Sequence, residues 1–213
     1  TNHVPFGLVL GPGGGKLKSR SGGAVKLLDL LNEAIDRASA SVKGRNPDIT
    51  QEELGRLSRS IGIGAVKYSD LKSDRTKDYV FDWEKMLSFE GETGPYLQYA
   101  HARISSILRN DKFQQSKSGP TSFSLAHESE MRLAREIMKY PESVDQAAED
   151  LAPHRICKQL HRLSQAFAAF YENCPVLVED GNTRNERLAL CRITGGILNH
   201  GLNLLGIDAP DRM

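Results

Sequence analysis

Apolar positions recur with a helical period over most of the chain. Val25, Leu27, Leu28, Leu31, Ala34, Ile35 and Ala38 fall on one side of a helix over 25–42. The "NPD" of Asn46 to Asp48 stops it. Thr50-x-x-Glu53 is a capping-box pattern that starts a second helix, running to about Leu71, with Gly62 and Gly64 weakening it or permitting close packing. A short helix is expected near Asp82 to Leu87, inside an otherwise irregular stretch. From Thr93 onward the pattern predicts helices at about 94–110, 125–139, 142–151, 154–173 and 183–205, with a polar loop over 110–124. Tyr140-Pro141 and Ala152-Pro153 are read as breaks, because proline disfavours helix in the residue before it. The second half is thus expected to be an all-α bundle of about five helices. Before all this, Phe6-Gly-Leu-Val-Leu reads as a strand entering the turn Gly11-Pro12-Gly-Gly-Gly. The fold class expected is mainly α, with a short β and loop segment ahead of the helices.

Composition narrows the picture only a little. The 213 residues carry 39% hydrophobic and 26% charged side chains, enough for a packed core. Net charge is +1, and residues 95–213 hold 14 Lys and Arg against 14 Asp and Glu, so recognition of nucleic acid would have to rest on local shape and stacking. Cys157, Cys174 and Cys191 are too far apart for a C-x-x-C site and are expected to be buried, reduced thiols. No metal site is expected. No run of about 18 apolar residues is present, so no membrane span is expected.

Two stretches carry candidate chemistry. In "GPYLQYAHAR", Tyr96, Tyr99, Ala100, Arg103 and Ile107 share one side of a helix at about 100° per residue. Leu97, Ile104 and Leu108 form the adjoining core stripe, with His101 at its edge. Tyrosines flanking an arginine beside a core stripe suit an unpaired base, stacking on the rings while the guanidinium meets a phosphate. The alternative is that both rings pack between helices. Arg155, Lys158 and Arg162 share one face of the next-to-last helix, a basic stripe that either faces RNA phosphates or is simply solvated. The second stretch, "GPGGGKLKSRSGG", fails the P-loop pattern twice: Leu17 follows Gly15-Lys16, and Leu10 stands where the first glycine belongs. Basic groups on a glycine turn can still neutralise phosphate charge. A helical module for docking other proteins is the alternative from a different class.

The long string "YSDLKSDRTKDYVFDWEKMLSFEGETGPYLQYAHAR", Tyr68 to Arg103, and the ending "GLNLLGIDAPDRM" resemble the C-terminal half of arginyl-tRNA synthetases, which are class I enzymes. The resemblance implies three parts: 1–24 as the end of a catalytic domain, 25–92 as a helical connecting segment, and 93–213 as an anticodon-binding bundle of the DALR type. It implies a monomeric cytoplasmic ligase that uses ATP and Mg2+ to attach arginine to tRNA(Arg). No HIGH-like string occurs, so this chain is expected to be a fragment that keeps the family's natural end, binds no cofactor alone and is inactive by itself. "KLKSRSG" resembles a degenerate KMSKS loop, which assigns Lys16, Lys18 and Arg20 to the ATP phosphates. Tyr96 and Tyr99, with Arg103 beside them, match anticodon-contacting positions; Tyr171 and Met213 match further positions of that pocket.

Overall fold

The computed structural model describes residues 3–11, 15, 26–109, 120 and 122–213. Helix α1 (Leu27–Arg45) and helix α2 (Gln51–Leu71) form a hairpin. Ala38 and Val42 of α1 meet Leu54, Leu57 and Ile61 of α2 in a small core of their own. Thr50 begins α2 as its spacing predicts, its Oγ1 accepting from the Glu53 N–H at 3.3 Å. The strand expected near Phe6 is a two-residue β1 (Val9–Leu10), paired in parallel with β2 (Tyr79–Val80), a strand the sequence reading did not anticipate. Helix α3 (Trp83–Leu87) follows, capped by Asp82 Oδ1 on the N–H groups of Glu84 and Lys85.

The bundle has α4 (Gly94–Arg109), α5 (Glu128–Glu149), α6 (His154–Asn173) and α7 (Gly181–Leu204). Among the described residues four helices stand where five were expected, because Pro141 lies inside α5 rather than ending it. The proline costs one N–H. Beside it, the Glu136 carbonyl is taken from outside the helix by the buried Gln159 amide at 2.8 Å, and Tyr140 is anchored to His200 at 2.6 Å. Packing against α6 and α7 thus carries α5 through the proline. The second expected break is real. Leu151 adopts φ of 52° between α5 and α6.

One core runs through the bundle, built on Leu97 and Ile104 of α4, Leu133 of α5, Leu160 and Phe167 of α6, and Leu198 of α7. The three cysteines are free and buried, as expected. Burial and the Glu92 carboxylate push the Cys157 thiol up to about 12, which keeps it protonated and unreactive. The α1–α2 hairpin joins the bundle where α2 crosses α4. A Cβ on Gly94 would lie 2.8 Å from the Gly64 carbonyl oxygen, so this crossing brings backbone against backbone.

Two outcomes follow. Gly94→Ala forces the crossing apart and should lower unfolding stability by about 1–3 kcal/mol in urea titrations; an unchanged midpoint would contradict the close crossing. Glu130 of α5 is buried against Arg187 of α7 at 2.7 Å. Burial works against its ionised form, but the His127 N–H and the Arg187 guanidinium outweigh it and hold the carboxyl below its usual range. A depressed carboxyl contributes stability above its unfolded value, about 4.3, and loses it as pH falls through the folded value. Glu130→Gln should therefore flatten the acid side of the stability-against-pH curve, and equal acid slopes would refute this.

Candidate RNA-binding groove

The exposed side of α4 opens onto the C-terminal end of α1. Tyr99 is 40% exposed and stands edge-on to Phe89, ring centroids 6.5 Å apart at 90°. The Arg45 guanidinium, at the end of α1, covers the other ring of this pair, 4.0 Å from the Phe89 centroid. A niche of about 240 Å³ lies beneath them, walled by Val42, Ile49, Leu57 and Ile61 and reached by Met213. Beside it runs an open groove of about 540 Å³ that passes Tyr99, Arg103, Arg109, Arg212 and Met213, with Glu53 as the one acidic side chain among its described lining residues. Arginine-rich rims next to an aromatic face are the physical requirement for holding a phosphate chain while a base stacks.

The chain's last residues are delivered to this groove by α4 itself. Gly206, with φ of 67°, turns the chain out of α7. The Lys67 ammonium donates to its carbonyl. Gln98 Nε2 donates to the Asp208 carbonyl at 2.8 Å, and Ser105 Oγ donates to Asp211 Oδ1 at 2.9 Å. Between them His101 Nδ1 lies 3.1 Å from the Pro210 carbonyl, an acceptor that requires the proton on Nδ1. Residues 98, 101 and 105 form a single stripe along the helix. That stripe holds the tail in register and sets Met213 beside Tyr99.

Residues 97–213 match the DALR anticodon binding domain pattern, over more than half of the chain. The chain belongs to the DALR anticodon binding domain family. Residues 1–83 match the catalytic domain of class I tRNA synthetases of the arginine type. The arginine–tRNA ligase of Proteus mirabilis is 47% identical over 213 residues, covering 99% of this chain and 37% of that protein. The Frankia casuarinae ligase is 48% identical over 212 residues, 99% and 36%. Among solved structures, Thermus thermophilus arginyl-tRNA synthetase superposes with a TM-score of 0.84 at 36% identity, covering 96% of this chain and 34% of that one. Arginyl-tRNA synthetase from Plasmodium falciparum gives 0.79 at 31%, covering 99% and 35%. The chain spans little more than a third of the length of these relatives.

Within the DALR bundle the residues singled out from sequence do not all converge. Tyr99, Arg103 and Met213 line the groove together. Tyr171, near the end of α6, joins them through Arg103, whose guanidinium lies 4.3 Å from its ring centroid. Tyr96 goes elsewhere: half-buried, its ring leans on His161 of α6 at 5.7 Å, and burial raises its phenol above the ordinary value. Arg155, Lys158 and Arg162 are exposed on the side of α6 opposite Tyr171 and more than two turns before it. Arg155 is engaged there by Asp150 at 2.5 Å, and Arg162 lies near the Glu136 carboxylate. Lys16, Lys18 and Arg20 lie outside the described residues. Sequence reasoning missed Arg45, Asn46 and Phe89, which no apolar period marks. Their signal is three-dimensional, a helix end and a loop ring brought to the bundle by the α2–α4 crossing.

Gln98→Ala removes the tie to Asp208. Release of Met213 by carboxypeptidase should then run faster than from the wild-type chain, by the factor that about 0.5–1.5 kcal/mol represents; equal release rates would show that the tail is held without Gln98.

Proposed function

We propose that this chain is the tRNA-binding C-terminal portion of an arginine–tRNA ligase and that it grips the anticodon arm of tRNA(Arg) at the groove beside Tyr99. The observation that carries the reading is a solvent-open aromatic face flanked by Arg103, Arg109 and Arg212 within a DALR bundle. Tyr99 stacks on a loop base. Arg103, backed by the Tyr171 ring, meets the phosphate chain, and Met213 closes the far side. Tyr96 supports the bundle through His161, and the stripe of Arg155, Lys158 and Arg162 serves as a solvated face. The three-part organisation, with boundaries near 24 and 92, stays part of the proposal.

The parent enzyme would join arginine to tRNA(Arg) with ATP and Mg2+ as a cytoplasmic monomer in protein biosynthesis. Lys16, Lys18 and Arg20 would supply cationic contacts to the ATP phosphates, in company with a catalytic domain of which this chain carries the part that residues 1–83 match. Among the described residues no group of His, Cys, Asp and Glu side chains could hold a metal, so a Mg2+ site is not assigned to them. Among the described residues no helix is long and apolar enough to cross a membrane.

Binding to anticodon stem-loops at fixed salt tests the reading. The arginine stem-loop should bind more tightly than unrelated ones, and Tyr99→Ala should weaken it by about 1–3 kcal/mol. Equal affinity for all anticodons, or an unchanged Tyr99→Ala affinity, would overturn it.

A further inference from the structure

The niche beneath Phe89 and Tyr99 has a feature that the bundle alone does not supply. Among the described residues three polar side chains line its wall: Arg45, whose guanidinium already lies over the Phe89 ring, Tyr99, whose phenol offers a single hydroxyl, and Asn46, the one amide. Asn46 ends α1 with φ of −133° and ψ of 84°, and Pro47 follows it, so its backbone cannot continue the helix. Both of its main-chain groups are in use. Its N–H donates to the Val42 carbonyl at 2.9 Å, and its carbonyl accepts from the Ile49 N–H at 3.4 Å. The side-chain amide has no protein partner among the described residues and stands exposed at the shared edge of niche and groove. An amide offers a donor and an acceptor together, the pair needed to read the edge of a base. The niche, about 240 Å³, is smaller than the roughly 300–1,000 Å³ of pockets for drug-sized ligands, which suits a single ring system. Arg45 stands at its own rim, and the adjoining groove carries Arg103, Arg109 and Arg212 against the single acidic side chain of Glu53 among its described lining residues, a balance complementary to a phosphate chain and not to an acidic or neutral peptide.

We propose that the niche receives one unpaired base of the anticodon loop and that the Asn46 side-chain amide reads that base's hydrogen-bonding edge. This rests on the function proposed above and assigns part of its specificity to the helical hairpin. Asn46, Val42 and Phe89 all precede residue 97, where the DALR match begins. Base reading is thereby divided: the bundle supplies the stacking face, and the end of α1 supplies the polar edge. Asn46 is a specificity-determining residue on a segment whose other task is to join the bundle to what precedes it.

The experiment uses the full chain and a set of arginine stem-loops in which each loop base is changed singly to the other three or made abasic. Affinities are measured by fluorescence anisotropy at one salt concentration for the wild type, Asn46→Ala, Asn46→Asp and, as a control one turn earlier on the surface, Lys43→Ala. Asn46→Ala should weaken the cognate loop about tenfold to a hundredfold and abolish discrimination at one loop position while the others keep theirs. A loop that is abasic at that position should bind wild type and Asn46→Ala equally. Asn46→Asp, which replaces the donor with a second acceptor, should shift base preference at the same position. Asn46 is exposed, so both variants keep the fold. Discrimination retained at every position by Asn46→Ala, or weakening of all loops by one factor, would overturn the assignment while leaving the groove itself standing. Failure of the wild type to discriminate, with Tyr99→Ala unaffected, would overturn both.

Discussion

One buried amide holds the working parts of this molecule together. Gln98 is fully buried where α4, α2 and the C-terminal tail meet. Its Nε2 donates across to the Ser60 carbonyl of α2 at 3.2 Å and to the Asp208 carbonyl of the tail at 2.8 Å. Carbonyl oxygens on both sides fix which end of the amide faces them. A neighbouring pair of glycines makes the meeting possible: a side chain on Gly94 would strike the Gly64 carbonyl, and one on Gly64 would strike Gln98 itself at 2.9 Å. A buried amide N–H is costly unless bonded, so the Nε2 half of Gln98 favours the arrangement in which α2 and the tail both reach it, while its Oε1 is buried without a hydrogen-bond partner among the described residues. In that arrangement α1 ends beside Tyr99 and Met213 closes the groove. The site is therefore a property of a joint between segments, and it would not survive a change in their relative placement.

Electrostatics plays a local part. The bundle carries equal numbers of cationic and anionic side chains, so it exerts little long-range attraction on a polyanion. What the fold does is sort them. Arg45, Arg103, Arg109 and Arg212 come from α1, α4 and the tail to one rim, while Glu136 and Asp150 offset the cations of α6 elsewhere. Affinity at such a rim comes from phosphate contacts and selectivity from the rings and edges inside it.

The helices were legible because their causes are local: Thr50 and Asp82 cap them, and Leu97 and Ile104 mark a core stripe by period alone. Pro141 was misread because local rules see the lost N–H and not Gln159 or His200, which hold α5 from other helices. The tyrosines show the limit of a helical wheel. Tyr96 and Tyr99 share one side of α4, yet neighbours on different segments, His161 and Phe89, draw one toward α6 and leave the other facing the groove. The niche was invisible for the same reason, since Asn46 and Phe89 are brought to it only by the α2–α4 crossing. One signal was present and unread: Gln98, His101 and Ser105 are polar residues spaced along one stripe beside the core, a pattern that calls for a buried polar partner, and the tail is that partner.

The most direct measurement is a map of where an anticodon loop touches the protein. Photo-cross-linking of arginine tRNA carrying 4-thiouridine in the anticodon loop, followed by mass spectrometry of the attached peptides, gives it. Cross-links on the peptides of Tyr99, Phe89 and the C-terminal tail, drawn from both sides of the joint, are the predicted result. Cross-links confined to the Arg155–Arg162 face of α6, with none at the groove, would contradict it.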